Sequence, residues 1–188
     1  MATRREELLR VGAALFAERG FHGVGVDDLG AAAGISGPGV YRHFTSKDAL
    51  LAELLLRVSQ DLLDGGRVCV EACEGNDEAA LGALVDAHVT FALDNRAVIT
   101  VYDRDLGSLP EGPRRRIRRL QREYAEVWVD VVTRLRPGSD GGHDDRTARA
   151  AVHAAFGLMN STPHSARDLD RAEHGQLLHR MATAALLA

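Results

Sequence analysis

Residues 27–33 and 36–43 read as two helical segments of about seven residues each, joined by Gly34-Ile35-Ser36, and helices that short do not persist in water alone. Any fold for this chain must supply a platform for the pair, and the flanking sequence does so. Thr3-Arg4-Arg5-Glu6 has capping-box spacing: the Thr3 hydroxyl accepts from a first-turn N–H while Glu6 reaches back, which predicts a first helix from about residue 4. Leu8, Val11, Leu15 and Phe16 recur along it at helical steps, and Gly20 stands where a left-handed C-cap residue is expected. Asp27 and Asp28 occupy the first turn of the second helix, where the dipole favours acids. Ser36 caps the third, with Pro38 tolerated because first-turn N–H groups have no intrahelical partner. Thr45-Ser46 caps a fourth helix that runs from Lys47 to about Leu63 and buries Leu50, Leu51, Leu54, Leu55 and Val58; Asp64-Gly65-Gly66 is expected to bend or end it.

The rest of the chain repeats the helical period. Further helices are expected at about 77–94, 96–106, 111–136, 145–162 and 169–187, with Pro110, Pro113, Pro137 and Pro163 at their edges and Gly138-Ser139-Asp140-Gly141-Gly142 as a flexible loop. No apolar and polar residues alternate long enough to propose a strand. The expected fold is all-α with about nine helices: a helix-turn-helix domain over residues 1–46, a connecting helix over 47–66, and a helical ligand-binding and dimerisation domain over 67–188.

Charge narrows the function. The 188 residues carry 23 basic and 27 acidic side chains, a net charge of -4, which argues against a protein that coats nucleic acid indiscriminately. Between residues 36 and 47, however, Arg42, His43 and Lys47 occur with no acid among them, so positive potential concentrates at one place. No stretch approaches the roughly 18 apolar residues of a membrane span, and the charged N-terminus has no apolar run behind it, so no membrane partner and a cytoplasmic location are expected. Cys69 and Cys73, four apart with no histidine nearby, read as small core fillers.

In a helix-turn-helix unit the second helix enters the major groove while neighbouring groups grip phosphate, which makes residues 37–43 the recognition helix. Four runs occur in order: Ala14-Leu15-Phe16-Ala17-Glu18-Arg19-Gly20-Phe21, Val26-Asp27-Asp28-Leu29, Ala33-Gly34-Ile35-Ser36, and Val40-Tyr41-Arg42-His43-Phe44-Thr45-Ser46-Lys47-Asp48-Ala49-Leu50. On these residues, about a quarter of its length, the chain resembles the TetR/AcrR family of bacterial repressors. The resemblance implies that Tyr41 and His43 contact backbone phosphates and that Lys47 meets a phosphate at the start of the fourth helix. The chemistry agrees, since a helix N-terminus already favours an anion and a lysine adds a point charge. Ser36, Gly37, Pro38, Gly39 and Arg42 complete the expected DNA-binding set. Packing is the alternative role for Tyr41 and the expected one for Phe44. The resemblance also implies a homodimer through the last two helices, and paired recognition helices are what successive major grooves require.

Two departures from the family pattern stand out. Val24-Gly25 lacks the hydroxyl that many members place before the second helix, and the recognition helix opens Gly37-Pro38-Gly39, with almost no side-chain donors. Direct readout then falls on Arg42 and Tyr41, and close backbone approach and DNA shape contribute to specificity.

Beyond residue 77 only the helical pattern resembles the family. His88, Phe91, Tyr102, Tyr124, Trp128, Phe156 and Asn160 are expected to line an apolar, ligand-binding cavity, with His153 on the same helices; ordinary core filling is the alternative for each ring. Arg114-Arg115-Arg116-Ile117-Arg118-Arg119-Leu120-Gln121-Arg122 is either a solvated face or an anion site. Tyr102 to Trp128, with Leu158 to His164, is similar to actinobacterial members associated with fatty-acid or acyl-CoA metabolism. That implies a repressor released from double-stranded operator DNA by a small hydrophobic effector, an acyl-CoA among the candidates. An enzyme is the rival class, with little support: Gly34-Ile35-Ser36-Gly37-Pro38 misses the G-x-S-x-G elbow and follows no strand, and no metalloprotease or P-loop motif occurs. Asp140, His143, Asp144 and Asp145 read as a solvated loop in preference to a metal site, and neither metal nor cofactor is expected. A third class is an interaction module that keeps the fold without binding DNA.

Overall fold

The computed structural model describes residues 3–135, 145–165 and 168–188. Among the described residues lie nine α-helices and no strand: α1 (Arg4–Arg19), α2 (Val26–Ala32), α3 (Gly37–Val40), α4 (Lys47–Glu71), α5 (Asp77–Asp94), α6 (Arg96–Asp105), α7 (Glu111–Leu135), α8 (Asp145–Met159) and α9 (Arg171–Leu187), with a short 3-10 turn at Leu106–Ser108. The glycine-rich segment 138–142 and its neighbours His143 and Asp144 lie outside them. No described helix is long and apolar enough to cross a membrane, and no described group of three or more His, Cys, Asp or Glu is placed to hold a metal ion.

Packing divides the chain into two compact units, residues 1–59 with 97–118 and residues 60–96 with 119–188. This departs from the linear division at residues 46 and 66 that the sequence suggests. α6 and the start of α7 join the first unit because Val98, Val101, Leu106, Leu109 and Ile117 enter the same core as Leu8, Phe16, Leu29, Leu50 and Leu51. A polar clamp reinforces the apolar one. Arg104 of α6 donates from Nη1 to the Ala17 carbonyl at 3.2 Å and from Nη2 to the Phe16 carbonyl, while buried Asp105 holds the same guanidinium at 3.0 and 3.2 Å. Phe16 O also accepts from Gly20 N–H at 2.8 Å, and the Arg104 cation suits the negative end of the α1 dipole.

The α1 start follows its capping box, with Glu6 N–H donating to Thr3 Oγ1 at 3.2 Å and Thr3 N–H donating to Glu6 Oε2 at 2.8 Å. Its end comes at Gly20, whose φ of 79° is positive as expected, but whose ψ of 153° is extended and not the left-handed helical cap that the sequence suggests. α4 differs from expectation. It passes through Gly65-Gly66 unbroken to Glu71, so the pair is neither a bend nor a stop. Gly65 faces open space, but a Cβ on Gly66 would lie 2.7 Å from Tyr124 Cε2, so Gly66 lets the Tyr124 ring rest on the α4 backbone.

The second unit centres on α5, packed with α8 and α9. Val85, Leu84, Trp128, Val132, Val152, Met159, Ala182 and Leu186 are fully buried in it. Thr162 Oγ1, also buried, donates to the Ala92 carbonyl at 2.7 Å and ties the turn after α8 to α5. α8 ends at Met159, so Asn160 stands in that turn and not on the helix.

Candidate nucleic-acid interface and ligand-domain interior

α2 and α3 cross at glycines. A Cβ on Gly30 would lie 2.9 Å from Gly37 N, Ile35 O and Ser36 C, and one on Gly37 would lie 1.9 Å from Asp27 Oδ1. Gly37 is buried. Its lack of a side chain therefore serves the crossing of α2 and α3, and not the close approach of DNA that the sequence suggests. Gly34, at φ 67°, makes the turn between them. Ser36 caps α3 through its Oγ, which accepts from Gly39 N–H at 3.2 Å. The α2 start lacks a side-chain cap at Gly25, as the sequence predicts, yet Asp28 partly restores it by accepting from Gly25 N–H at 2.7 Å.

The regular part of α3 ends at Val40; Tyr41, Arg42 and His43 continue as tight turns, with Arg42 N–H donating to Gly39 O and His43 N–H to Val40 O. Tyr41 is 56 % exposed, which excludes packing as its role, whereas Phe44 is buried as expected. Ser36, Pro38 and Arg42 are exposed, and Gly39 and His43 half-exposed, so these residues and Tyr41 form one accessible surface strip. Arg42 forms no ion pair or hydrogen bond through its side chain among the described residues.

Lys47 is placed differently from a free phosphate ligand. Its Nζ donates to Phe21 O at 2.8 Å and Val24 O at 2.7 Å, and lies 4.4 Å from the Phe21 ring centroid. Two of its three N–H donors thus fasten the α1–α2 loop to the start of α4, and one remains. Arg4 and Arg5 are also spent internally. Arg4 donates to Ala33 O at 2.6 Å; Arg5 donates to His43 O and to Glu53, and stacks on Phe44 at 4.3 Å. These clamps hold the ends of α2 and α3, a role that charge counting alone does not reveal.

In the second unit the structure brings together His88, Phe91, Tyr124, Trp128, Phe156 and Asn160. Tyr124, His88 and Phe156 are nearly parallel, with centroids 4.9 Å apart for His88 and Phe156 and 5.4 Å for Tyr124 and Phe156; Trp128 stands edge-on to all three. His88 Nε2 lies 3.2 Å from Asn160 Oδ1 and Nδ1 lies 3.0 Å from Tyr124 Oη. An amide oxygen only accepts, so Nε2–H donates to Asn160 and the Tyr124 hydroxyl donates to Nδ1. Burial pushes His88 down to about 4, against a smaller opposing effect of the Asn160 hydrogen bond, and it raises the Tyr124 phenol; both are neutral at pH 7. Tyr102 is not part of this cluster: it sits half-buried against the core of the first unit. His153 is exposed at the edge of Phe156.

Of the arginine run, Arg115 pairs with Glu111 and Arg119 with Glu123 along α7, each at 3.5 Å and exposed. Cys69 and Cys73 are free and half-buried, and burial raises the Cys69 thiol, which disfavours the reactive thiolate.

Comparison with known proteins places this geometry in a family. Residues 8–54 match the model of bacterial regulatory proteins of the tetR family, and residues 74–164 match the tetracyclin repressor-like C-terminal domain. The chain is 33% identical over 162 residues, 85% of this chain and 76% of the relative, to the HTH-type transcriptional repressor KstR2 of Rhodococcus jostii. It superposes on a TetR-family transcriptional regulator of Bordetella parapertussis with a TM-score of 0.86 at 23% identity, covering 99% of this chain and 95% of that one. AibR, solved in complex with isovaleryl coenzyme A and operator DNA, shares the fold at a TM-score of 0.78 and 17% identity, over 98% and 99% of the two chains. The chain belongs to the TetR family of bacterial helix-turn-helix transcriptional regulators.

Proposed function

We propose that this regulator is a cytoplasmic repressor that holds operator DNA through the strip Ser36, Pro38, Gly39, Tyr41, Arg42 and His43, and lets go when a small hydrophobic effector enters its second unit. The observation that carries the DNA half is the exposed Tyr41-Arg42 pair on a recognition helix whose remaining basic neighbours are spent on holding it in place. Tyr41 and His43 meet phosphate, Arg42 reads base edges, and the third donor of Lys47 is available to a phosphate at the start of α4. Gly37 contributes by setting the α2–α3 crossing.

The effector half rests on the neutral aromatic cluster of the second unit, where His88, Phe91, Tyr124, Trp128, Phe156 and Asn160 supply an apolar site with a few polar atoms. KstR2 carries the word repressor in its name and AibR was solved with an acyl-coenzyme A, which makes an acyl-CoA the first effector to test. Release is a population shift driven by the effector's differential affinity for two arrangements of the protein. α4 is suited to carry the coupling, since one unbroken helix bears Lys47 at its start and Gly66, against Tyr124, near its end.

The protein acts as a homodimer through α8 and α9, where Ala154 and Gly157 of α8 and Met181, Ala184 and Leu187 of α9 are exposed. Small residues with a few large apolar ones suit close helix packing between two copies. No reaction is assigned to the chain. The test is an electrophoretic mobility shift on its own upstream intergenic DNA at stated salt. Specific binding, lost in Tyr41→Ala and Arg42→Ala and released by long-chain acyl-CoA, is the expected result; the absence of a specific shift at any salt overturns the repressor reading for that DNA.

A further inference from the structure

One helix pair of the second unit leaves a hollow that its own side chains do not fill. α5 and α9 pack side by side and run antiparallel, pinned by two polar pairs: His179 Nδ1–H donates to Asp86 Oδ1 at 2.7 Å, and Arg171 pairs with Asp94. Along this seam lies a groove of about 470 Å³. Gly175 keeps it open. A Cβ there would already lie 3.3 Å from Leu93 Cδ1 and 3.9 Å from Val89 Cγ1, so a larger side chain would stand in the hollow.

The lining is apolar at one end and polar at the other. Val89, Leu93, Ala172 and Gly175 give the apolar floor. Gln176 and Arg180 follow Ala172 at steps of four, so the three share one face of α9 and polarity rises along it toward Arg180. From Ala172 to Arg180 the helix rises about 12 Å. The side chains of Thr90, Gln176 and Arg180 form no hydrogen bond or ion pair among the described residues. Arg171 is taken by Asp94 and Asp86 by His179, which leaves Arg180 as the cation of the groove without a counter-ion. Asp86 is 73% exposed, so water and salt screen its repulsion of an anion beside Arg180.

We propose that this groove is a further small-molecule site, and that its ligand is an amphiphilic monocarboxylate: the carboxylate on the Arg180 guanidinium and the Gln176 amide, the apolar body, roughly 10 Å long, over Val89, Gly175 and Leu93. One unspent guanidinium matches one carboxylate in charge and in its two-pronged geometry. An ammonium of the same length meets like charge there. None of the aromatic cluster residues lines the groove, and neither do Met181, Ala184 and Leu187 of the face assigned to the dimer, so the site stands independently of both readings.

Calorimetry on the full-length protein near neutral pH compares octanoate, octan-1-ol and octylammonium. Octanoate should bind saturably and octylammonium at least about tenfold more weakly. Arg180→Gln, at an exposed position, should lower octanoate affinity about three- to tenfold and leave octan-1-ol unchanged. Gly175→Leu, checked for folding by circular dichroism, should abolish binding of both. No saturable octanoate binding, an ammonium bound as well as the carboxylate, or an octanoate affinity that neither variant alters overturns the proposal. So does the outcome in which octanoate fails to bind and either variant shifts the monomer–dimer equilibrium in sedimentation, which would make the groove an interface between copies. No step uses operator DNA, so the result reads the same whether or not the repressor reading holds.

Discussion

Replacing Gly66 by alanine separates its packing role from its place in a helix. Inside an α-helix, glycine to alanine is favourable by about 1 kcal/mol, because glycine gives up more backbone freedom on folding. Gly65 and Gly66 lie side by side in α4, but a Cβ meets nothing within 4 Å at Gly65 and meets Tyr124 at 2.7 and 3.2 Å at Gly66. Ordinary carbon contacts lie near 3.5 to 4.0 Å, so the ring must retreat by roughly 1 Å. Retreat is opposed by the stack on Phe156 and the hydrogen bond to His88. Overpacking of this kind costs about 1–3 kcal/mol, with about 1 kcal/mol more if the hydrogen bond is lost. Gly65→Ala should therefore stabilise the protein by about 0.5–1 kcal/mol, and Gly66→Ala should destabilise it by about 1–2 kcal/mol. Urea unfolding followed by circular dichroism, at one fixed protein concentration, reads both variants. A Gly66→Ala protein as stable as Gly65→Ala would refute the account of Gly66 as the seat of the Tyr124 ring.

Three further outcomes follow from the same structure. Lys47→Met removes two charge-assisted hydrogen bonds and leaves Phe21 O and Val24 O without their donor, so unfolding free energy should drop by about 2–3 kcal/mol, with operator binding weakened even where the variant is fully folded; unchanged stability with lost DNA binding would mean that Lys47 acts on phosphate alone. Arg104→Ala strands Asp105, only 4 % exposed, and uncaps α1 at a cost of about 2–3 kcal/mol, while Arg104→Ala with Asp105→Asn should recover part of that in the same unfolding assay. His88 is held at about 4 in the folded protein against 6.5 unfolded, so the unfolded chain takes up the proton first as pH falls. Its contribution is fully present above pH 6.5 and declines toward pH 4, by roughly 3 kcal/mol at most; urea midpoints across that range should fall, and His88→Phe should flatten the dependence.

Much of the first unit was legible from local pattern. The Thr3 capping box, the Gly20 stop, the Ser36 cap and the burial of Phe44 each depend on residues within a few positions of one another, and each appears where the spacing predicts it. The aromatic cluster was only half legible. Helical period places Phe91, Tyr124, Trp128 and Phe156 on inward faces, but Tyr102, equally inward by period, belongs to the core of the other unit. Periodicity tells that a face is buried and not what it is buried against.

What the sequence by itself determined is the set of helices, their caps and the recognition segment, because those follow from interactions within a turn or two of chain. Tertiary structure decided what the basic residues and glycines do. Arg4, Arg5, Lys47 and Arg104 become clamps on carbonyls 23 to 88 residues away. Gly30, Gly37 and Gly66 become points of close approach, and α6 joins the unit of α1. Each of these depends on which backbone arrives from a distant part of the chain, and a glycine or an arginine carries no local signal of the partner it will meet.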